Sequence, residues 1–161
     1  MASQEDGDRT IATNRRARHD YEILESHECG IVLVGSEVKS LREAMVQIRE
    51  AWAGIDGADL WLQGMHISPY AFTRDNPDPD RRRKLLLHRS EILELRSKVE
   101  QQGLTLVPLR VYFTHGLAKV ELGLARGKRS YDKRHSLAER DALRDIDRAL
   151  RAKQRTGVTD P

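Results

Sequence analysis

The sequence predicts a mainly β fold: a small antiparallel barrel or rolled sheet, interrupted by two helices and followed by a basic tail. Three observations carry that prediction. Short apolar runs recur around turn signals at Asp56-Gly57 and His115-Gly116, the pattern of hairpin-joined strands. Two segments break that pattern with apolar residues at helical spacing. From Gly127 onward the apolar density falls, which ends the globular body near Ala125. At 161 residues the chain suits one domain with tails.

Taken in order, residues 1–12 lack apolar periodicity and are expected to be disordered, leaving a body over 13–125 and a tail over 126–161. Tyr21 to Glu25 reads as a short strand. Ile31 to Val34, an aliphatic run after Gly30, reads as a buried strand ended by Gly35. Ser36 is placed to cap a helix from Glu37, with Val38, Leu41, Met45 and Ile48 on one core-facing stripe. Ile55 to Leu62 reads as a hairpin about Asp56-Gly57. His66 to Tyr70 reads as an edge strand limited by Pro69, and Asn76 to Asp80 as a loop. Ser90 to Gln102 carries the marks of a helix: a Ser cap, Glu91 in the first turn, Ile92, Leu95 and Val99 on one face, Gly103 as stop. Leu104 to Phe113 and Leu117 to Leu124 follow as two strands.

The tail has its own signals. Ser136 and Glu139 match a capping box, and the spacing predicts a helix over about 137–153. Opposite charges three or four apart support it, as in Asp141/Arg144, Asp145/Arg148 and Asp147/Arg151. Leu143, Ile146 and Leu150 form a narrow apolar stripe that nothing else in the tail can bury. The helix therefore either packs back on the body or forms on a partner; folding on a partner is the preferred reading.

Charge is plentiful but nearly balanced. Lys and Arg number 28 against 25 Asp and Glu, a net +3, and charged residues make up 33% of the chain, above the usual quarter. The basic residues are clustered. Arg9, Arg15, Arg16 and Arg18 follow an acidic N-terminus. Arg81, Arg82, Arg83, Lys84 and Arg89 form a second run without an acid between. From Arg126 to Arg155 there are eleven basic residues and five acids, so +6. One such run is ordinarily a solvated face; three favour a polyanion, and RNA in particular.

Catalytic signals are missing from the sequence. The six histidines have no zinc-motif spacing, and the single cysteine, Cys29, excludes an internal disulfide and a cysteine-based zinc site. No P-loop, GxGxxG or GxSxG occurs; Glu28 and Glu37 read better as caps and surface than as a catalytic pair. No enzyme, metal or cofactor is expected. The N-terminus is too acidic for a secretory or mitochondrial signal, and the apolar runs are too short to span a bilayer, so a soluble cytoplasmic protein is expected. Aromatics are scarce, eight in all. Trp52, Trp61, Tyr112 and Phe113 stand in apolar contexts and read as core. Tyr21 and Tyr131, each beside basic residues, are the candidates for stacking on bases.

Four segments then carry a resemblance: Asn14-Arg-Arg-Ala-Arg-His-Asp-Tyr21, Gly35-Ser-Glu-Val-Lys-Ser-Leu-Arg42, Arg83-Lys-Leu-Leu-Leu-His88 and Gly127-Lys-Arg-Ser-Tyr-Asp-Lys-Arg134. In this order they closely resemble the small protein B family, the SsrA-binding partners of transfer-messenger RNA (tmRNA) in bacterial trans-translation. The resemblance implies an oligonucleotide-binding-type antiparallel β-barrel with two or three peripheral helices and a basic tail helix. It implies a non-enzymatic adaptor whose barrel holds the tRNA-like domain of tmRNA. It implies a tail that docks in the decoding centre and empty mRNA channel of the small ribosomal subunit on a stalled ribosome. Elongation factor Tu with alanyl-tmRNA enters as a further candidate partner.

Carried over residue by residue, the RNA face would comprise Asn14, Arg15, Arg16, Arg18, Tyr21, Glu28, Lys39, Arg42, Arg83, Lys84, Leu86 and His88. Arg and Lys neutralise phosphates, Asn14 and Glu28 would read base or sugar edges, and Leu86 would meet an exposed base. The docking tail would use Gly127, Lys128, Arg129, Tyr131, Asp132, Lys133, Arg134, Arg140 and Arg144. The chain departs from the family pattern at Ala44, where a Gly is frequent. It departs again at Ala51-Trp52, where a Ser-aromatic pair is frequent, and in the loop Asn76 to Asp80. The alternative is a general barrel that binds tRNA-like or ribosomal RNA without tmRNA selectivity.

Overall fold

The computed structural model describes residues 9–128 and 142–151. It divides into two units, Met1–Gly127 and Lys128–Pro161. The first is an antiparallel barrel. Its strands and helices run β1 (Arg9–Thr13), α1 (Arg15–Asp20), β2 (Tyr21–Ile31), α2 (Gly35–Arg42), β3 (Val46–Gln47) and β4 (Trp52–Asp56). They continue with β5 (Asp59–Gln63), β6 (His66–Ile67), β7 (Arg83–Leu86), α3 (Arg89–Gln102), β8 (Thr105–Thr114) and β9 (Leu117–Gly127).

The large sheet has the order β1-β8-β4-β5-β7-β2-β9, and β9 also pairs with β8. Six strands, β8-β4-β5-β7-β2-β9, therefore close on themselves, which removes the exposed edges a sheet would otherwise leave. β1 joins β8 alongside Arg110 to Phe113, while β4 takes the same side of β8 at Leu106. The strand β1 corrects the expectation of disorder over 1–12 for Arg9 to Ala12, where β8 offers its free edge and Ile11 and Ala12 pack on the core; residues 1–8 lie outside the described residues.

Turn chemistry closes the hairpins as the sequence implies. His115 (φ 49) and Gly116 (φ 75) take successive left-handed conformations between β8 and β9, the two-residue turn whose twist matches a hairpin. The barrel interior is aliphatic: Leu60, Leu62, Met65, Leu85, Val111, Val120 and Leu122 are wholly or almost wholly buried. α3 adds Ile92 and Leu95 to this core and ends at Gly103 in the left-handed conformation. Its cap is His88, which makes no side-chain cap bond; Ser90 already lies within the helix.

Several other expectations are corrected. β2 is eleven residues long and ends at Ile31; Val32 and Val34 are 46% and 45% exposed rather than a buried strand. α2 is shorter than its stripe suggests, because Ala44 turns left-handed (φ 58) and sends the chain into β3. Leu41 and Ile48 still reach the core, but Met45 lies outside it. α2 is capped at Val34, whose N–H donates to Glu37 Oε1 at 3.1 Å, instead of by Ser36. β9 carries the body to Gly127, two residues past the expected end.

A second, smaller core lies on the outside of the barrel. Ala17 of α1 packs with Val107, Leu109 and Ala125, flanked by Tyr21 and Ile23. Both faces of β8 are thereby covered, which is why it reads as a continuous apolar run. The sequence reading overlooked α1, since Ala17 is its one apolar residue. It is held by its cap: Asn14 Oδ1 accepts from Ala17 N–H at 3.1 Å.

In the second unit, the described residues include a helix at 142–151. Leu143, Ile146 and Leu150 are exposed, and Arg151 pairs with Asp147 at 2.9 Å. The expected capping box at Ser136 and Glu139 lies outside the described residues, as do the ends of the expected 137–153 helix.

Candidate nucleic-acid interface

β2 is the spine of the site. Seven residues separate Tyr21 from Glu28, about 23 Å of strand at 3.3 Å per residue. The expected RNA-binding residues therefore fall at separate stations.

The first station is at the far end of β2. Register places Gly30 between Leu86 of β7 and Lys119 of β9. Glu28, Gly30, Leu86, Leu87, His88, Glu91 and Lys119 line an open groove of about 490 Å³. Alternation along β7 explains the composition: Arg83 and Leu85 point inward, Lys84 and Leu86 outward. Leu86 is 52% exposed, so it is surface and not core. A Cβ at Gly30 would stand 3.2 Å from the Leu86 Cβ, so the glycine preserves the room Leu86 occupies. Glu28 is oriented from beside: the Tyr112 hydroxyl donates to its Oε2, and the Arg110 guanidinium lies 4.0 Å over the Tyr112 ring. His88 caps α3 without a side-chain bond, leaving its exposed ring available to a ligand. A directional acceptor, an apolar contact, an imidazole and a lysine thus meet in one concavity.

A second station is α1, where Arg15, Arg16 and Arg18 are exposed around the buried Ala17. Arg16 is engaged with Asp20 at 3.2 Å and with Glu50. Tyr21 follows, half-buried, and lies opposite Gly127 in the β2–β9 register. A third station is α2. Lys39 and Arg42 are both exposed, with the Lys39 Nζ 5.5 Å from the Tyr70 ring and the Arg42 guanidinium 5.0 Å from the Phe113 ring. Resting a cation on a ring fixes its position while leaving its charge outward.

Two expected contact residues are not on the surface. Asn14 is 4% exposed; its amide donates to the carbonyls of Ile48 (3.2 Å) and Pro108 (3.0 Å) while its oxygen caps α1. Arg83 is fully buried, donating to Glu37 Oε2 (2.7 Å), the Met65 carbonyl (2.7 Å) and the Pro79 carbonyl (2.9 Å). Both are engaged in internal hydrogen bonds and support the exposed residues around them. The rest of the second basic run is partly neutralised as well. Arg81 bonds Glu37, Arg82 stands 3.8 Å from Asp56, and Lys84 stands 3.3 Å from Asp59. Burial alone would raise the Glu37 carboxyl, but hydrogen bonds from Arg81, the Val34 N–H and Arg83 hold it below its ordinary value.

Sequence reasoning missed Lys119, which enters the groove only through its register opposite Gly30. It also missed Tyr70 and Phe72, stacked edge-to-face at 5.4 Å beside Lys39. The one available signal was an aromatic pair in an otherwise polar loop. Trp52, read as core, is 46% exposed; Tyr112 and Phe113 are buried as expected. Of the tail residues, Gly127 ends β9, Lys128 is half-buried and Arg144 lies exposed on the 142–151 helix. Arg129, Tyr131, Asp132, Lys133, Arg134 and Arg140 lie outside the described residues. Among the described residues no group of three His, Cys, Asp or Glu gathers at metal-binding distance, and no helix is long and apolar enough to cross a membrane.

The family described as SmpB protein matches residues 11–152 of this chain. The chain belongs to the SmpB family. Relatives agree over nearly the whole length. The SsrA-binding protein of Carboxydothermus hydrogenoformans is 54% identical over 147 residues, covering 91% of this chain and 99% of that protein. The SsrA-binding protein of Thermobifida fusca is 53% identical over 149 residues, covering 92% and 93%. A chain from a solved structure described as "tmRNA-SmpB: a journey to the center of the bacterial ribosome" is 55% identical with a TM-score of 0.63, covering 74% of this chain and 85% of that one. SmpB-family membership thus joins the closed barrel, as the resemblance implied.

Proposed function

We propose that this chain is a non-enzymatic tmRNA-binding adaptor of trans-translation, working in the cytoplasm on stalled ribosomes. The observation that carries the reading is the Glu28–Leu86–His88 groove with Lys119 at its edge, in a chain of the SmpB family. Its chemistry suits a folded RNA: Glu28 accepts from a base or ribose hydroxyl, Leu86 covers an unstacked base face, and Lys119 meets a phosphate. Lys39 and Arg42 on α2, and Arg15, Arg16 and Arg18 on α1, extend the electrostatic footprint around the barrel. The tail, from Gly127 and Lys128 through Tyr131 and the Asp132-Lys133-Arg134 segment to Arg140 and Arg144, docks in the decoding centre and empty mRNA channel. Relatives named SsrA-binding protein and a neighbour described with tmRNA and the bacterial ribosome support this assignment.

The test is a titration of the protein against the tRNA-like half of tmRNA and against bulk tRNA at two salt concentrations. A tmRNA preference of tenfold or more, about 1.4 kcal/mol, that survives high salt is expected. Equal binding that collapses with salt would mean counterion release alone and would overturn the reading. A chain ending at Gly127 is expected to keep tmRNA affinity and lose peptide tagging on stalled ribosomes; loss of RNA binding in that truncation would overturn the division of labour.

A further inference from the structure

A second concavity lies away from the groove, between α1 and the start of β4. Arg16, Asp20, Tyr21, Arg49, Glu50 and Trp52 surround it, over a floor that includes Ala17, Ala51 and Val107, and its volume is about 270 Å³. That falls below the range of roughly 300–1,000 Å³ usual for small-molecule sites, and suits a single planar ring. Trp52 is the unusual member. At 46% exposed it leaves much of a large aromatic surface in water, where tryptophan is normally well buried. Its Cζ3 edge sits over Gly54, where a Cβ would come within 3.1 Å, so the glycine leaves space for the indole on the outer face of the sheet.

Charge decides what the pocket accepts. Arg16 and Arg49 are matched by Asp20 and Glu50, so the lining is neutral overall. The two carboxylates would repel a phosphate inside; an uncharged base meets no such repulsion, and its amino groups would find acceptors there. Further basic residues, Arg15 and Arg18 of α1, lie exposed outside it. Arg49, exposed on the rim, makes no hydrogen bond or ion pair with the described residues.

We infer that this pocket receives one unpaired nucleobase of a bound RNA, stacked on Trp52, with the flanking phosphates carried by Arg49 and the α1 arginines. The inference rests on the RNA-binding reading above and adds a contact separate from the Glu28–Leu86–His88 groove.

The experiment uses the full chain in a Trp61→Phe background, which leaves Trp52 as the single tryptophan. The probes are a ten-residue oligoadenylate and AMP. Stacking is expected to quench Trp52 fluorescence on oligoadenylate addition. By anisotropy of a dye-labelled oligoadenylate, Trp52→Ala is expected to weaken binding about fivefold or more, the low end for one stacked base, and Trp52→Phe to restore most of it. Arg49→Ala is expected to reduce the salt slope by about one. Weak quenching of Trp52 by AMP beside the oligoadenylate response would support the base assignment. Oligoadenylate binding without quenching, or unchanged affinity in Trp52→Ala, would overturn it, as would quenching by AMP alone. If the unsubstituted chain binds tmRNA while these readouts fail, only this inference falls; if it binds no RNA, the proposed function falls with it.

Discussion

Arg83 and Glu37 form an ion pair almost entirely out of water: Nε lies 2.7 Å from Oε2, with side-chain exposures of 0% and 3%. The pair joins β7 to the first turn of α2, and the other Arg83 nitrogens hold the carbonyls of Met65 and Pro79. It thus fixes the long connection between β6 and β7 to the wall beside the groove. Glu37→Gln is expected to cost about 3–5 kcal/mol, because it leaves the buried Arg83 charge unpaired, and Arg83→Met less than that, because Arg81 still holds the Glu37 carboxylate. Arg96→Ala, which breaks an exposed pair with Glu100, is expected to cost less than about 1 kcal/mol. Urea denaturation of the three variants checks both.

The same carboxylate sets an acid limit. Glu37 is held below its ordinary value of 4.5 in the folded chain, so the unfolded chain binds its proton more tightly. Its contribution is therefore complete above about pH 4.5 and is lost as pH falls through the lower folded-state value. Unfolding free energy measured from pH 6 to pH 3 is expected to drop over the acid end. Glu37→Gln is expected to flatten that drop.

Adjacent leucines are expected to separate binding from stability. Leu85 is 1% exposed inside the barrel, while Leu86 is 52% exposed in the groove. Leu85→Ala is expected to cost about 2–5 kcal/mol. Leu86→Ala is expected to change stability by less than about 1 kcal/mol and to lower tmRNA affinity. Paired urea melts and RNA titrations distinguish them.

Backbone strain gives a prediction of the opposite sign. Ala44 holds a left-handed φ of 58 at the end of α2, the position where the family pattern favours glycine. A left-handed non-glycine residue costs about 1–2 kcal/mol, partly offset by the greater unfolded freedom of glycine. Ala44→Gly is expected to stabilise the chain by up to about 1 kcal/mol. Gly64→Ala should do the reverse and by more, since φ is 76 and the new Cβ would stand 2.7 Å from the Glu50 carbonyl oxygen. Thermal melts of both variants read the signs directly.

What the sequence by itself determined was local. The β8–β9 hairpin, the Asp56-Gly57 turn and α3 with its glycine stop were legible because each follows from neighbours a few residues apart. Family membership was legible because four ordered motifs survive in the linear chain. The tertiary structure decided which polar residues face water. Asn14 and Arg83 look like RNA contacts in a basic string, yet partners 34 to 94 positions away for Asn14, and 46 for the Arg83–Glu37 pair, take them into the interior. Trp52 looks like core and stands outside, because alternation along β4 turns Ala53 inward in its place. Periodicity reports that a strand has two faces; only closure of the barrel determines which of them meets solvent.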